Sequence, residues 1–99
     1  MFKKSLEGKI TKLKDELGNH TTRPHVITKD ELTNTVEVTP ITTSTQSNTL
    51  EVKTKPDLKH TSYLVPNKKR EVDRKEAKDN LTGQVVVNRK EVFKHLNDT

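Results

Sequence analysis

Apolar side chains recur at Phe2, Leu6, Ile10, Leu13 and Leu17, at spacings of four, four, three and four. That spacing describes one face of an α-helix. Lys3, Lys4, Lys9, Lys12, Lys14, Asp15 and Glu16 fill the remaining positions, and Gly18-Asn19 supplies a stop. The pattern therefore predicts an amphipathic helix, weakened by about 1 kcal/mol at Gly8. A helix this short is marginal alone in water and needs a surface to lie on.

The alternation then changes period. Val36, Val38 and Ile41 alternate with polar residues, as do Leu50 and Val52, and both stretches predict strands with one apolar face. Pro40 demotes the first to an edge position or cuts it short. Between them Thr42–Thr49 carries no apolar residue and reads as a loose hairpin loop or a linker, so the two stretches form a short hairpin or stand as edge strands. Residues 61–66, around Tyr63, Leu64 and Val65, predict a third short strand. The stretch 19–34 holds Arg23-Pro24 and a Thr28–Glu31 capping-box pattern with only Leu32 behind it, and reads as a polar connection.

Residues 67–80 predict a charged helix or linker, with Lys69–Asp73 and Glu71–Lys75 at i,i+4 spacing. The end of the chain is more definite. Leu81–Gln84 reads as a turn and Val85–Val87 as a strand. Asn88 reads as the cap of a helix over 89–96, with Glu91 completing a capping box and Val87 and Val92 at staple positions. Val92, Phe93 and Leu96 form that helix's apolar face.

These elements divide the chain into an amphipathic helix at 1–18, a connection at 19–34, short strands at 35–66 with a Thr-rich loop at 42–49, a charged segment at 67–80 and a strand–cap–helix unit at 81–99. The fold class expected is α+β, small and partly extended. Composition adds that it has little independent core. Only 27% of the 99 residues are hydrophobic, against roughly 45–50% apolar in an ordinary globular domain. Ordering about 100 residues costs on the order of 100 kcal/mol of conformational entropy.

Charge and chemistry narrow the function classes. The net charge is +5, from 19 basic and 14 acidic residues. The basic run Lys68, Lys69, Arg70, Arg74, Lys75 and Lys78 is the candidate nucleic-acid contact, diluted by Glu71, Asp73 and Glu76. Three aromatic rings are too few for a base-stacking platform. Without cysteine there is neither a disulfide nor a thiolate metal site. His20, His25, His60 and His95 lack metal-ligand spacing, and three glycines cannot build a phosphate-cradling loop. No nucleophile elbow is present. The expectation is no catalytic residue, no metal, no cofactor and no small-molecule substrate. No apolar run follows the basic N-terminus, so neither a secretory signal nor a membrane span is expected, and the compartment expected is the cytoplasm.

The sequence thus predicts a non-enzymatic accessory or structural subunit docking on a larger protein assembly, such as a minor component of a phage-type particle. Phe2, Leu6, Ile10, Leu13, Leu17, Val92, Phe93 and Leu96 would be the docking residues. On this reading Ile10→Asp abolishes assembly and leaves the protein soluble. The alternative is a small basic nucleic-acid-binding or inhibitor-like regulatory protein.

Overall fold

The structure, a computed structural model, describes residues 4–14, 22–43 and 50–97. They form eight strands and two helices: β1 (Lys9–Lys14), β2 (Thr22–Lys29), β3 (Thr35–Thr42), β4 (Glu51–Val52), β5 (Thr54–Lys55), β6 (Ser62–Leu64), β7 (Arg70–Asp73), α1 (Arg74–Asp79), β8 (Leu81–Val86) and α2 (Arg89–Asn97). A 3-10 turn at Pro66–Lys68 precedes β7. The strands form one antiparallel sheet in the order β4-β6-β3-β2-β1-β8-β5, with β7 added to β3.

The two ends of this order are neighbours in the chain. Glu51 and Val52 pair with Tyr63 and Ser62 of β6, and Thr54 and Lys55 pair with Val86 and Val85 of β8. The segment 51–55 therefore joins both ends, and the sheet curls into a nearly closed barrel. The fold is mostly β, which corrects the α+β expectation.

The N-terminal helix is the main correction. Gly8 has φ +84°, a conformation no helix contains, and residues 7–8 turn the chain into β1. The spacing of three between Ile10 and Leu13 puts them on opposite faces of a strand. Ile10 packs inside the barrel with Val26, Ile41, Val52, Leu64, Val86 and Val92. Leu13 joins Leu6, Ile27, Val36, Val38 and Ala77 on the other face of the sheet. One helical stripe in sequence thus serves two cores. Phe2 and Leu17 lie outside the described residues.

The connection expected at 19–34 contains the most buried strand. In β2, His25, Val26, Ile27 and Thr28 are all buried in succession, because the strand is covered on both faces and paired on both edges. The Thr28 hydroxyl caps no helix. It donates to the Glu37 carboxylate at 2.9 Å and lies 3.1 Å from the Thr39 hydroxyl.

β3 is no edge strand either. It pairs with β2 on one side; on the other, Thr35–Val38 pairs with β7 and Ile41–Thr42 with β6. Pro40 sits between these two partners, where its missing N–H interrupts neither ladder. β6 lies between β3 and β4, so the hairpin expected from 35–41 and 50–54 does not form. Residues 67–80 are not one helix but the end of the 3-10 turn, β7 and α1. β8 begins at Leu81, inside the expected turn.

Little independent core was expected, yet two clusters are buried. The barrel cluster is closed by Val92, with Leu96 packed against it from α2. The second lies against α1, where the Thr11 hydroxyl donates to the Ala77 carbonyl at 2.8 Å. A sheet buried on both faces obtains two cores from few residues. Buried threonines at positions 11, 28, 39 and 54 add apolar methyl groups.

Asn88 helps close the barrel. Its carbonyl begins α2 by accepting from Val92 N–H. Its side chain turns to the 51–55 segment instead: Oδ1 accepts from Lys53 N–H at 3.0 Å and Nδ2 donates to the Glu51 carbonyl at 2.8 Å. The amide thus continues the β8–β5 ladder past Val87. Asn88→Ala is expected to cost about 1–2 kcal/mol for the two bonds, read as a urea midpoint shift. Faster amide exchange at Lys53 should accompany the loss.

Candidate docking surface

β8 ends on Val85 and Val86, Val87 follows it in a bend, and successive strand residues face opposite ways. Val86 is buried in the barrel, so its neighbours must point outward. Val85 is 41% exposed and Val87 is 56% exposed. The register surrounds them with lysines. Val85 stands opposite Lys9 of β1 on one side and Lys55 of β5 on the other. Val87 donates its N–H to the Lys53 carbonyl at 2.8 Å, which places Lys53 beside it. Residues 53 and 55 share the outward face because Thr54 between them is buried.

A cavity of about 400 Å³ adjoins this face. Val52, Leu58 and Val87 line its apolar part, and Glu51, Asp57 and His60 add charge and hydrogen-bonding capacity. Its size falls in the range of about 300–1,000 Å³ usual for binding clefts. The Gln84 amide holds the neighbouring loop, donating to the Pro56 and Asp57 carbonyls at 3.3 Å each.

The start of α2 is fixed against the same end of the barrel. A Cβ at Gly8 would lie 2.8 Å from Arg89 Nε, so the glycine serves both its positive φ and this close approach. The Arg89 guanidinium stacks over the Phe93 ring, 5.6 Å from its centroid.

The residues expected to dock fall elsewhere. Leu6, Ile10, Leu13 and Val92 are buried within the chain's own cores. Leu96 packs on the barrel core, and Phe93 is half-buried beneath Arg89. The basic segment is also divided. Arg70 donates to the Lys14 carbonyl at 2.7 Å. Arg74 grips Asp30 with two bonds, Nε to Oδ1 at 3.1 Å and Nη2 to Oδ2 at 3.2 Å, and donates to the Lys4 carbonyl. Lys68, Lys69, Lys75 and Lys78 remain exposed.

The Asp30 carboxylate is fully buried at the side chain. Burial by itself pushes its pKa up. The Arg74 guanidinium and the Leu6 and Leu32 N–H groups, at 2.7 and 2.9 Å, more than offset this and hold it below the ordinary carboxylate value. The cluster ties the N-terminal segment, the β2–β3 connection and α1 together, so Arg74 acts in the fold. His25 is buried as well, with Nδ1 2.8 Å from the Arg23 carbonyl.

Sequence reasoning missed Val85, Val87, Lys9, Lys53 and Lys55. A signal was present: Val85 and Val86 are consecutive in a strand and cannot both face one core, although the strand expected through Val87 ends at Val86. Among the described residues, no group of three or more His, Asp or Glu side chains is placed to hold a metal ion, and no helix is long and apolar enough to cross a membrane. No protein-family model matches the chain, and no curated protein is significantly similar to it.

Proposed function

We propose that the chain is an accessory, structural subunit that docks on a larger protein assembly through the outer face of β8. One observation carries this reading: Val85 at the end of β8 and Val87 in the bend after it are 41% and 56% exposed, and Val87 borders a cavity lined by Leu58 and Val52. Single exposed apolar residues are ordinary; what supports a contact here is the combination of two of them with a concave surface beside Val87. Covering the exposed halves of both side chains returns roughly 1.5–3 kcal/mol together. The chain has few apolar residues and places two of them here.

The test is sedimentation of extracts from the producing cells, after nuclease treatment and at high salt. Wild type should travel with a large protein particle. Val85→Thr/Val87→Thr keeps β-branched residues on an exposed face, so its melting should match wild type within about 0.5 kcal/mol. Its association should fall by at least about tenfold. Equal incorporation of the variant would remove the β8 face from the reading. A wild-type chain that sediments free would remove the assembly.

A further inference from the structure

The charges around the two valines specify what can cover them. Lys9 and Lys55 sit on strands fixed by backbone ladders, and Lys53, between β4 and β5, is held at its N–H by Asn88 Oδ1 and at its carbonyl by Val87 N–H, so their Cα positions are set even where the ammonium groups move. Lys9 and Lys55 bracket Val85 from both sides, and Lys53 stands beside Val87. Nothing in the linear sequence joins Lys9 to Lys55; β8 does so by lying between β1 and β5. The carboxylates on this side, Glu51 and Asp57, line the cavity next to Val87 rather than flanking Val85. The surface therefore has a positive half around Val85 and a mixed, concave half beside Val87.

A second copy of the same face would set these lysines against one another, which is unfavourable at close range. A bare phosphate backbone would satisfy the lysines but leave the valines against a polar surface. A protein segment carrying both carboxylates and aliphatic side chains satisfies both. We infer that the β8 face binds an acidic protein segment whose aliphatic side chains cover Val85 and Val87 and enter the adjoining cavity, while its carboxylates meet Lys9, Lys53 and Lys55. This inference rests on the docking reading and adds the chemistry of the partner. Charges at the margin of an apolar contact act chiefly on the rate of association and its salt dependence. The three lysines thus steer and select, and the valines hold.

The probe is the companion particle isolated by sedimentation from the producing cells, titrated with full-length labelled protein at low and high salt. Four proteins are compared: wild type, Val85→Thr/Val87→Thr, Lys9→Glu/Lys53→Glu/Lys55→Glu, and the same three lysines changed to arginine. Lys53 and Lys55 are exposed and Lys9 is half-buried, so melting is measured for all four and binding is compared among those that are folded. The charge-reversed variant should bind at least about tenfold more weakly at low salt, with the gap closing at high salt. The arginine variant should bind as wild type does.

Loss of binding by the valine variant together with full binding by the charge-reversed one would overturn the acidic partner and leave the docking face standing. Full binding by both would overturn both, as would the absence of any particle. Wild-type binding abolished by nuclease would identify a nucleic acid and overturn the inference. A charge-reversed variant that binds more tightly would do the same, by showing a basic partner.

Discussion

Arg74→Met should lower the unfolding free energy by about 3–5 kcal/mol, the usual cost of removing one partner from a buried ion pair. Asp30 would then keep a fully buried carboxylate without its bidentate guanidinium. Small domains are stable by only about 5–15 kcal/mol, so the variant should be partly unfolded at modest urea concentrations. The cause is the stranded charge rather than the lost attraction. Asp30→Asn/Arg74→Met should accordingly recover part of the loss. A variant that unfolds at the wild-type urea midpoint would show that the pair is not buried in solution.

The same pair sets an acid dependence. Asp30 titrates below its ordinary value of about 3.9. A depressed native pKa contributes stability that is fully present above the unfolded value. It is lost as pH falls through the lowered native value. Wild-type stability should therefore decline from about pH 4 downward. The difference between wild type and Arg74→Met should shrink across the same window, because a protonated Asp30 no longer depends on the guanidinium. Urea midpoints at successive pH values measure both. A constant difference would exclude Asp30 as the titrating group.

Ile10→Asp should abolish the fold itself. On a helix face the substitution would leave a soluble, unassembled protein. In the barrel Ile10 is 0% exposed among Val26, Leu64, Val86 and Val92. Truncating such a side chain costs about 2–5 kcal/mol, and a carboxylate placed there without a partner adds several more. Loss of dispersion in the amide NMR spectrum is the expected readout. Ile10→Val, at about 0.5–1.5 kcal/mol, should keep the native spectrum. A dispersed, strand-rich spectrum from Ile10→Asp would overturn the burial of this position.

The two substitutions show where local pattern and tertiary context part. The strands at Val36–Ile41 and around Leu64, and the helix after Asn88, could be read locally because their periodicity or termination signals lie within one element. Leu6, Ile10 and Leu13 could not. Their spacing satisfies a helix as well as a turn followed by a strand with two buried faces, and only Gly8 marked the difference. β2 was hidden by Pro24 and its charged surroundings. A strand buried on both faces shows a run rather than an alternation, and His-Val-Ile-Thr is a short run. Asp30 and Arg74 looked like two among many surface charges, since their pairing joins residues 44 apart.

The candidate docking surface was legible in part. The consecutive Val85 and Val86 required one face of β8 to point away from the core. That this face is flanked by Lys9 and Lys55 depended on which strands pair with β8, a matter of long-range register. By itself the sequence determined a cysteine-free, basic, apolar-poor chain with a C-terminal strand and helix and β-branched segments before them. The tertiary structure decided that those segments curl into a nearly closed barrel with cores on both faces of the sheet. It also decided which charges are buried as a pair and which surround the exposed valines. The physical reason is common to all of these: a helix declares its buried face within a few turns of chain, whereas a strand's partners and faces are fixed only when distant segments compete to cover the same apolar surface.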